Sequence, residues 1–223
     1  MSFSSIFIKT PIGRLVSGSV HTGTDRDKFN GGEQYIFKSG AMQGKPKFKQ
    51  WFSLAVKKEN EKTWRETSWG KTIFALAKEE YPKLVESPLF SWKITDGDSE
   101  IPNTNGVSPK EKEGFAGHWI LNFTNWNSQA DSTFKIYMRD GKTELGPELK
   151  VNPGDYIQVY AAVSTNNSTQ KPGIFISQKA ISYCGIGERI IFDTFNASEV
   201  FGKDALPEGA KEIPTGFDDV IAL

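Results

Sequence analysis

From Lys45 to Lys58 the chain reads KPKFKQWFSLAVKK, and within it Phe48, Phe52, Leu54 and Val56 share one parity of a two-residue period. Successive side chains of a β-strand point to opposite faces, so this spacing predicts a half-buried strand with an apolar face turned inward. The other parity carries Lys47, Lys49, Trp51 and Lys57, and no acidic residue interrupts the stretch. A sheet built on it is expected to present a row of ammonium groups with an indole set among them. Such a surface suits a nucleic-acid strand, because lysines meet phosphates and an aromatic ring gives a base something to stack on. Solvent-facing lysines also serve simply to keep a sheet edge from aggregating.

The two-residue period recurs along the chain. Residues 5–20, SIFIKTPIGRLVSGSV, read as one or two short strands broken around Pro11 to Gly13, and EQYIFK at 33–38 reads as another, after a loop rich in Gly, Asp, Asn and Thr. FSWKIT, residues 90–95, puts Phe90, Trp92 and Ile94 on one face. In HWILNFTNW, Trp119, Leu121 and Phe123 should face the core, leaving His118, Asn122, Thr124 and Trp126 outward, with Ile120 an apolar exception. FKIYMR repeats the scheme, with Phe134, Ile136 and Met138 inward and Lys135, Tyr137 and Arg139 outward, before an Asp140-Gly141 hairpin turn. From Tyr156 to Val163, Ile157, Val159, Ala161 and Val163 alternate with Tyr156, Gln158, Tyr160 and Ala162, and Ile174 to Tyr183 forms a further strand.

One segment departs from this period. In SWGKTIFALAKEEY, Trp69, Ile73, Leu76 and Ala77 fall on one face of a helix over about Ser68 to Tyr81, with Ser68 as its N-cap and Pro82 as its stop. Many strands joined by turn signals, with one helix to cover the open end of the sheet, describe a mainly β Greek-key barrel or sandwich.

Charge adds a division of the chain. The 223 residues hold 27 basic and 27 acidic side chains, but Asp204, Glu208, Glu212, Asp218 and Asp219 face only Lys211 in the last twenty positions. The body therefore carries an excess of cations and the end an excess of anions. A folded domain at 1–203 and a disordered acidic tail at 204–223 are expected, since the tail mixes Pro and Gly with acids and has no core pattern.

The outward parity also interleaves aromatic with basic or amide residues on three separate strands: Lys49 with Trp51, Asn122 with Trp126, and Tyr137 with Arg139. With Lys47 and Lys57 these form the candidate DNA-binding set. Catalysis finds no support. Only His21 and His118 could serve a His-based triad, no GxSxG elbow accompanies either, and Gly185-Ile186-Gly187 lacks the third glycine and the βαβ setting of a dinucleotide fingerprint. No phosphate loop is present, and no cofactor is expected. Asp96 and Asp98 begin like a calcium loop, but its sixth position, where glycine is needed, is Ile101. A metal site is therefore not expected. Cys184 is the sole cysteine, which excludes an intrachain disulfide and fits a reducing cytoplasm. No apolar run reaches the ~20 residues of a membrane helix.

The succession FSWKITDGD, GFAGHWILNFT, RDGK, NPGDYIQVYAAV and KPGIFISQKAISYCGIGERI resembles the tailed-phage family of OB-fold single-stranded DNA-binding proteins, over about residues 45–190. Two features depart from that family: Asn125 to Thr133 is not proline-rich, and Gly187-Glu188 is followed by Arg-Ile-Ile. The resemblance implies an OB-fold barrel that coats single-stranded DNA during phage replication or recombination, without catalysis, in the cytoplasm of the infected host cell. It also likens the tip FDDVIAL to the acidic, apolar-ended tails of replication proteins, which implies that Phe217, Asp218 and Asp219 dock replication or recombination partners. A different class remains open beside it, a β-sandwich carbohydrate-binding module whose exposed aromatics stack on sugar rings. Salt separates the two, because phosphate binding weakens steeply with salt and sugar stacking does not.

Overall fold

The alternating segments fold, in the computed structural model, into nine strands among the described residues, which are 5–25, 35–103, 106–131, 134–166, 168 and 170–191. They are β1 (Ser5–Lys9), β2 (Gly13–Gly18), β3 (Thr24–Asp25), β4 (Phe48–Lys57), β5 (Ile94–Asp96), β6 (His118–Asn127), β7 (Lys135–Met138), β8 (Tyr156–Thr165) and β9 (Ile174–Gly185). One helix, α1 (Ser68–Glu80), stands between β4 and β5. The ladder runs β5-β6-β4-β2-β8-β9-β7, with β1 added on β8 and β3 on β4.

Two strand positions are each filled by two strands. β1 pairs with β8 at Tyr160–Ser164 and β2 with β8 at Tyr156–Ile157, so the two share one edge of β8 and are interrupted around Pro11, which has no N–H to give the ladder. On the free edge of β9, β7 pairs in parallel at Ala180–Tyr183, while β6 approaches where Ser177 Oγ donates to the Thr124 carbonyl at 3.1 Å. Counting β1/β2 as the first position, β4 as the second, β6/β7 as the third, β8 as the fourth and β9 as the fifth, the order around the core is 1-2-3-5-4 and back to 1. This is the partly open Greek-key barrel of the OB-fold. The ladder does not close between β6 and β9. Residues 91–93 span that gap instead, with Ile174 N–H donating to the Ser91 carbonyl and Asn122 N–H to the Lys93 carbonyl, at 3.0 and 2.8 Å.

One apolar core fills the barrel. Leu15, Phe52, Leu54, Leu121, Phe123, Ile157, Val159, Ile176 and Ile181 are fully buried in it, and the Phe52 and Phe123 rings stack at 4.8 Å. Trp69, Ile73, Leu76 and Ala77 of α1 join this core, so the helix packs on the sheet as its stripe requires. Its N-cap is Thr67 rather than Ser68: the Thr67 hydroxyl accepts the Gly70 N–H at 2.9 Å from an extended backbone, and Ser68 is already helical. Gly70 is needed there because a β-carbon would strike the Trp64 carbonyl.

Two other expectations shift. FSWKIT is not one strand, because Lys93 takes a positive φ of 59° and the ladder starts only at Ile94. Phe90 and Trp92 instead join Trp64, Phe74 and Tyr81 in a cluster of ring contacts. EQYIFK, whose first two residues lie outside the described ones, makes only an isolated bridge, Ile36 to Pro46. Ile120, the apolar residue on the outward parity, is fully buried in a second small cluster with Val16, Ala55, Phe115 and Ile190. Phe115, just before β6, and Ile190, after β9, thus cover one end of the sheet's outer face, and Ile120 is apolar for that reason.

The chain divides into compact units at 1–190 and 191–223, and of the second only Ile191 is described. The expected acidic tail, with Phe217, Asp218 and Asp219, lies outside the described residues, as does the expected boundary at 203/204. No helix among the described residues is long and apolar enough to cross a membrane.

Candidate nucleic-acid interface

Strands β4 and β6 pair in antiparallel register over their whole length, and the register decides which outward residues meet. Lys49 lies opposite Trp126, Trp51 opposite Thr124, Ser53 opposite Asn122 and Lys57 opposite His118. Directly opposed residues share a face, so all of these stand on the outer side while Phe52, Leu54, Leu121 and Phe123 fill the core. Gln50 occupies the inward parity and is buried, its Oε1 accepting from Asn127 Nδ2 at 2.5 Å.

The open part of this face is a cluster of rings and ammonium groups. Lys47 Nζ stands 4.5 Å from the centre of the Trp126 ring, 5.2 Å from that of Phe37 and 5.7 Å from that of Tyr35. Lys49 Nζ lies 5.8 Å from the Trp51 ring centre. The arm that brings Tyr35 and Phe37 here is tied back to the strand entry, since Lys47 N–H donates to the Tyr35 carbonyl at 2.7 Å and Phe37 N–H to the Lys45 carbonyl at 3.0 Å. Among the described residues no carboxylate forms an ion pair with Lys47. Its charge is held against ring faces, an attraction of about 0.5–1 kcal/mol at an exposed site. Phosphate can therefore compete for the ammonium, and the rings it leaves can accept bases.

The remaining candidates are not gathered at this cluster. Asn122 is committed to the sheet: its Oδ1 accepts from Ser53 Oγ at 2.8 Å, and its Nδ2 lies 3.4 Å from the Lys93 carbonyl and 3.5 Å from Thr95 Oγ1. Lys57 lies six residues beyond Trp51, about 20 Å along the strand, and the intervening outward positions Ser53 and Ala55 are buried. Tyr137 and Arg139 lie on and just after β7, beside β9 rather than β4. Tyr35 and Phe37 were not foreseen as contributors. Their signal was the shared parity of two aromatics in EQYIFK, read only as a strand.

The Asp96 and Asp98 carboxylates converge on a cation, but the cation is Lys58. Its Nζ pairs with both, at 2.7 Å from Asp98. Burial alone would lower the pKa of Lys58, and the hydrogen bonds and charges of the two carboxylates outweigh it and raise it. Asp98 is correspondingly held below its ordinary range by Lys58 and by the Gly117 N–H. Among the described residues no group of three or more His, Cys, Asp and Glu side chains could hold a metal ion.

No protein-family model matches the chain, and no curated protein sequence does. Solved structures do match. The single-stranded DNA-binding protein from bacteriophage Enc34, as a C-terminal truncation, is similar with a TM-score of 0.53 and 14% identity, over 82% of this chain and 88% of that one. The structure of the Enc34 protein in complex with single-stranded DNA gives the same score and identity over 83% and 89%. The Enc34 structure without truncation matches at 12% identity over 87% and 89%, again with a TM-score of 0.53. The likeness is one of fold: this chain has the fold of the single-stranded DNA-binding protein from bacteriophage Enc34.

Proposed function

We propose that this chain is a non-catalytic single-stranded DNA-binding protein that coats and protects exposed strands during phage replication or recombination, in the cytoplasm of the infected host cell. The observation that carries the proposal is the pairing of Lys47 with Trp126 and of Lys49 with Trp51 on the outer face of β4 and β6. These are the second and third positions of the barrel, the face on which OB-folds receive oligonucleotides. The Enc34 protein of the same fold is a single-stranded DNA-binding protein with a solved DNA complex, which supports the reading.

In this reading Lys47 and Lys49 neutralise phosphates and release condensed counterions, and Trp51 and Trp126 stack bases with no demand on their sequence. Phe217, Asp218 and Asp219 are proposed to dock replication or recombination proteins, which pull-downs with full-length protein and a form truncated after Lys203 would test. Titration with oligo-dT at two salt concentrations tests the main proposal. Tryptophan fluorescence should quench, and affinity should fall steeply as salt rises. Binding that ignores salt, or sugar binding in place of oligonucleotide binding, would overturn it in favour of a carbohydrate module.

A further inference from the structure

A second arrangement of rings and cations lies across β9. The outward residues of β9 near its middle are small, Ala180 and Ser182. Tyr160 of β8 stands in register with Ala180, and Tyr137 of β7 with Ser182. Neighbouring strands are about 4.8 Å apart, so β8 and β7 flank β9 with about 10 Å between them. The two tyrosines wall a shallow slot with a floor of small side chains, a hollow of about 120 Å³ with Lys9 on its rim.

The slot is built rather than incidental. Tyr160 is 46% exposed, and the Phe7 ring, 55% exposed, stacks on it at 5.4 Å and 10° between planes. Phe7 therefore backs Tyr160 with a ring that the core does not use. The carboxylates near it are held by local partners. The Asp140 carboxylate is taken by its own turn, accepting from Thr143 Oγ1 at 2.6 Å and from Lys142 N–H at 2.8 Å, and Glu144 is paired with Lys135 at 2.7 Å. Lys9, opposite Tyr160 in the β1–β8 register, and Lys179, the extra residue where that stretch of β9 shifts register, are both exposed.

We infer that this slot is a second base-binding station, in which one nucleobase of the bound single strand stacks on Tyr160 and Tyr137 while Lys9 meets the adjoining phosphate. The inference rests on the single-stranded DNA reading above and extends the path of the strand around the barrel. Continuity supports the same occupant for both stations. β9 adjoins β6 where Ser177 Oγ donates to the Thr124 carbonyl, and Thr124 is the residue opposite Trp51. A strand leaving Trp51 across β6 therefore reaches the outer face of β9 and then the slot.

The test uses full-length protein and two oligonucleotides, oligo-dT of about 4 and about 16 nucleotides, the range of OB-fold site sizes. The short one fills the β4–β6 face and only the long one reaches both stations. Tyr160→Ala should weaken binding of the long oligonucleotide by roughly 5- to 140-fold, the loss of one stacked base, and leave binding of the short one unchanged. Lys9→Ala should flatten the salt dependence for the long oligonucleotide alone, by about 0.7 in slope. Unchanged binding of the long oligonucleotide by both folded variants would overturn the inference. So would equal losses for both lengths, which would mean that Tyr160 acts through the fold. A change of oligomeric state in Tyr160→Ala with unchanged DNA binding would overturn it too, by assigning the slot to a second copy of the chain. If the unaltered protein binds neither oligonucleotide, the single-stranded DNA reading itself has failed, and the second station falls with it.

Discussion

Replacing Trp51 with Ala separates binding from folding more cleanly than any other change on the β4–β6 face. The ring is 37% exposed, lies opposite Thr124 and has the Lys49 ammonium near one face. Within the sheet its removal costs one cross-strand pair, about 0.2–1 kcal/mol, and one exposed cation–π contact, about 0.5–1 kcal/mol. The two together stay below about 2 kcal/mol, which for a chain of this size lowers the melting temperature by no more than about 8 °C. A stacked base is worth about 1–3 kcal/mol, so affinity for oligo-dT should fall roughly 5- to 140-fold. Stacking moves no ions, and the dependence of affinity on salt should keep its slope. Fluorescence anisotropy of labelled oligo-dT at two salt concentrations reads both quantities, and circular dichroism confirms that the variant is folded. A folded variant with unaltered affinity refutes the stacking role. A fall in affinity together with a lower salt slope refutes it differently, by showing that Trp51 serves to place Lys49 at a phosphate.

Other changes test neighbouring parts of the argument. Lys47→Ala and Lys49→Ala should each lower the salt slope by about 0.7, while Lys57→Ala, cut off by buried Ser53 and Ala55, should leave it unmoved in the same titrations. His21 accepts the Val151 N–H at Nε2, at 2.9 Å, and burial followed by the Lys150 charge lowers its pKa. The folded state thus holds the proton less well than the unfolded chain, so this contribution is present above about pH 6.5 and is lost as pH falls below it. Thermal melts at pH 7.5 and 5.5 should show a smaller acid-induced loss in His21→Gln than in the unaltered protein. Calcium or magnesium at millimolar concentration should leave the melting temperature unchanged, because the Asp96 and Asp98 carboxylates already share the Lys58 ammonium. Ile120→Ala, although on the outer face, should cost about 2–5 kcal/mol in chemical denaturation, the loss of a buried side chain.

The strands were legible wherever one parity is apolar, because burial of one face is what makes a strand alternate. Trp119, Leu121, Phe123, Ile157, Val159 and Ile181 all lie in the core for that reason. The reading failed where a third layer covers the sheet. Ile120 broke the pattern because Phe115 and Ile190 pack on it, and nothing within the strand's own sequence announces such a cover. It failed again at FSWKIT, where the apolar spacing is right but Lys93 turns the backbone to positive φ and frees Phe90 and Trp92 for the aromatic cluster.

The candidate site was half legible for a related reason. Trp51 and Lys49 lie on one strand, and their shared face follows from counting. Lys47 directly precedes β4 and Trp126 lies on β6, and whether they meet depends on the register between the two strands. A slip of one residue would turn Trp126 inward and leave Lys47 without its ring. What holds the register is inside the barrel: Phe52 opposes Phe123 with rings stacked at 4.8 Å, and Leu54 opposes Leu121, both pairs fully buried. A ladder slipped by one residue would have to put polar Asn122 or Thr124 in the core against Phe52. The geometry of the outer cluster is therefore specified by core residues that never touch a ligand, and a volume change at Phe52 or Phe123 should disturb single-strand binding even where the barrel survives it.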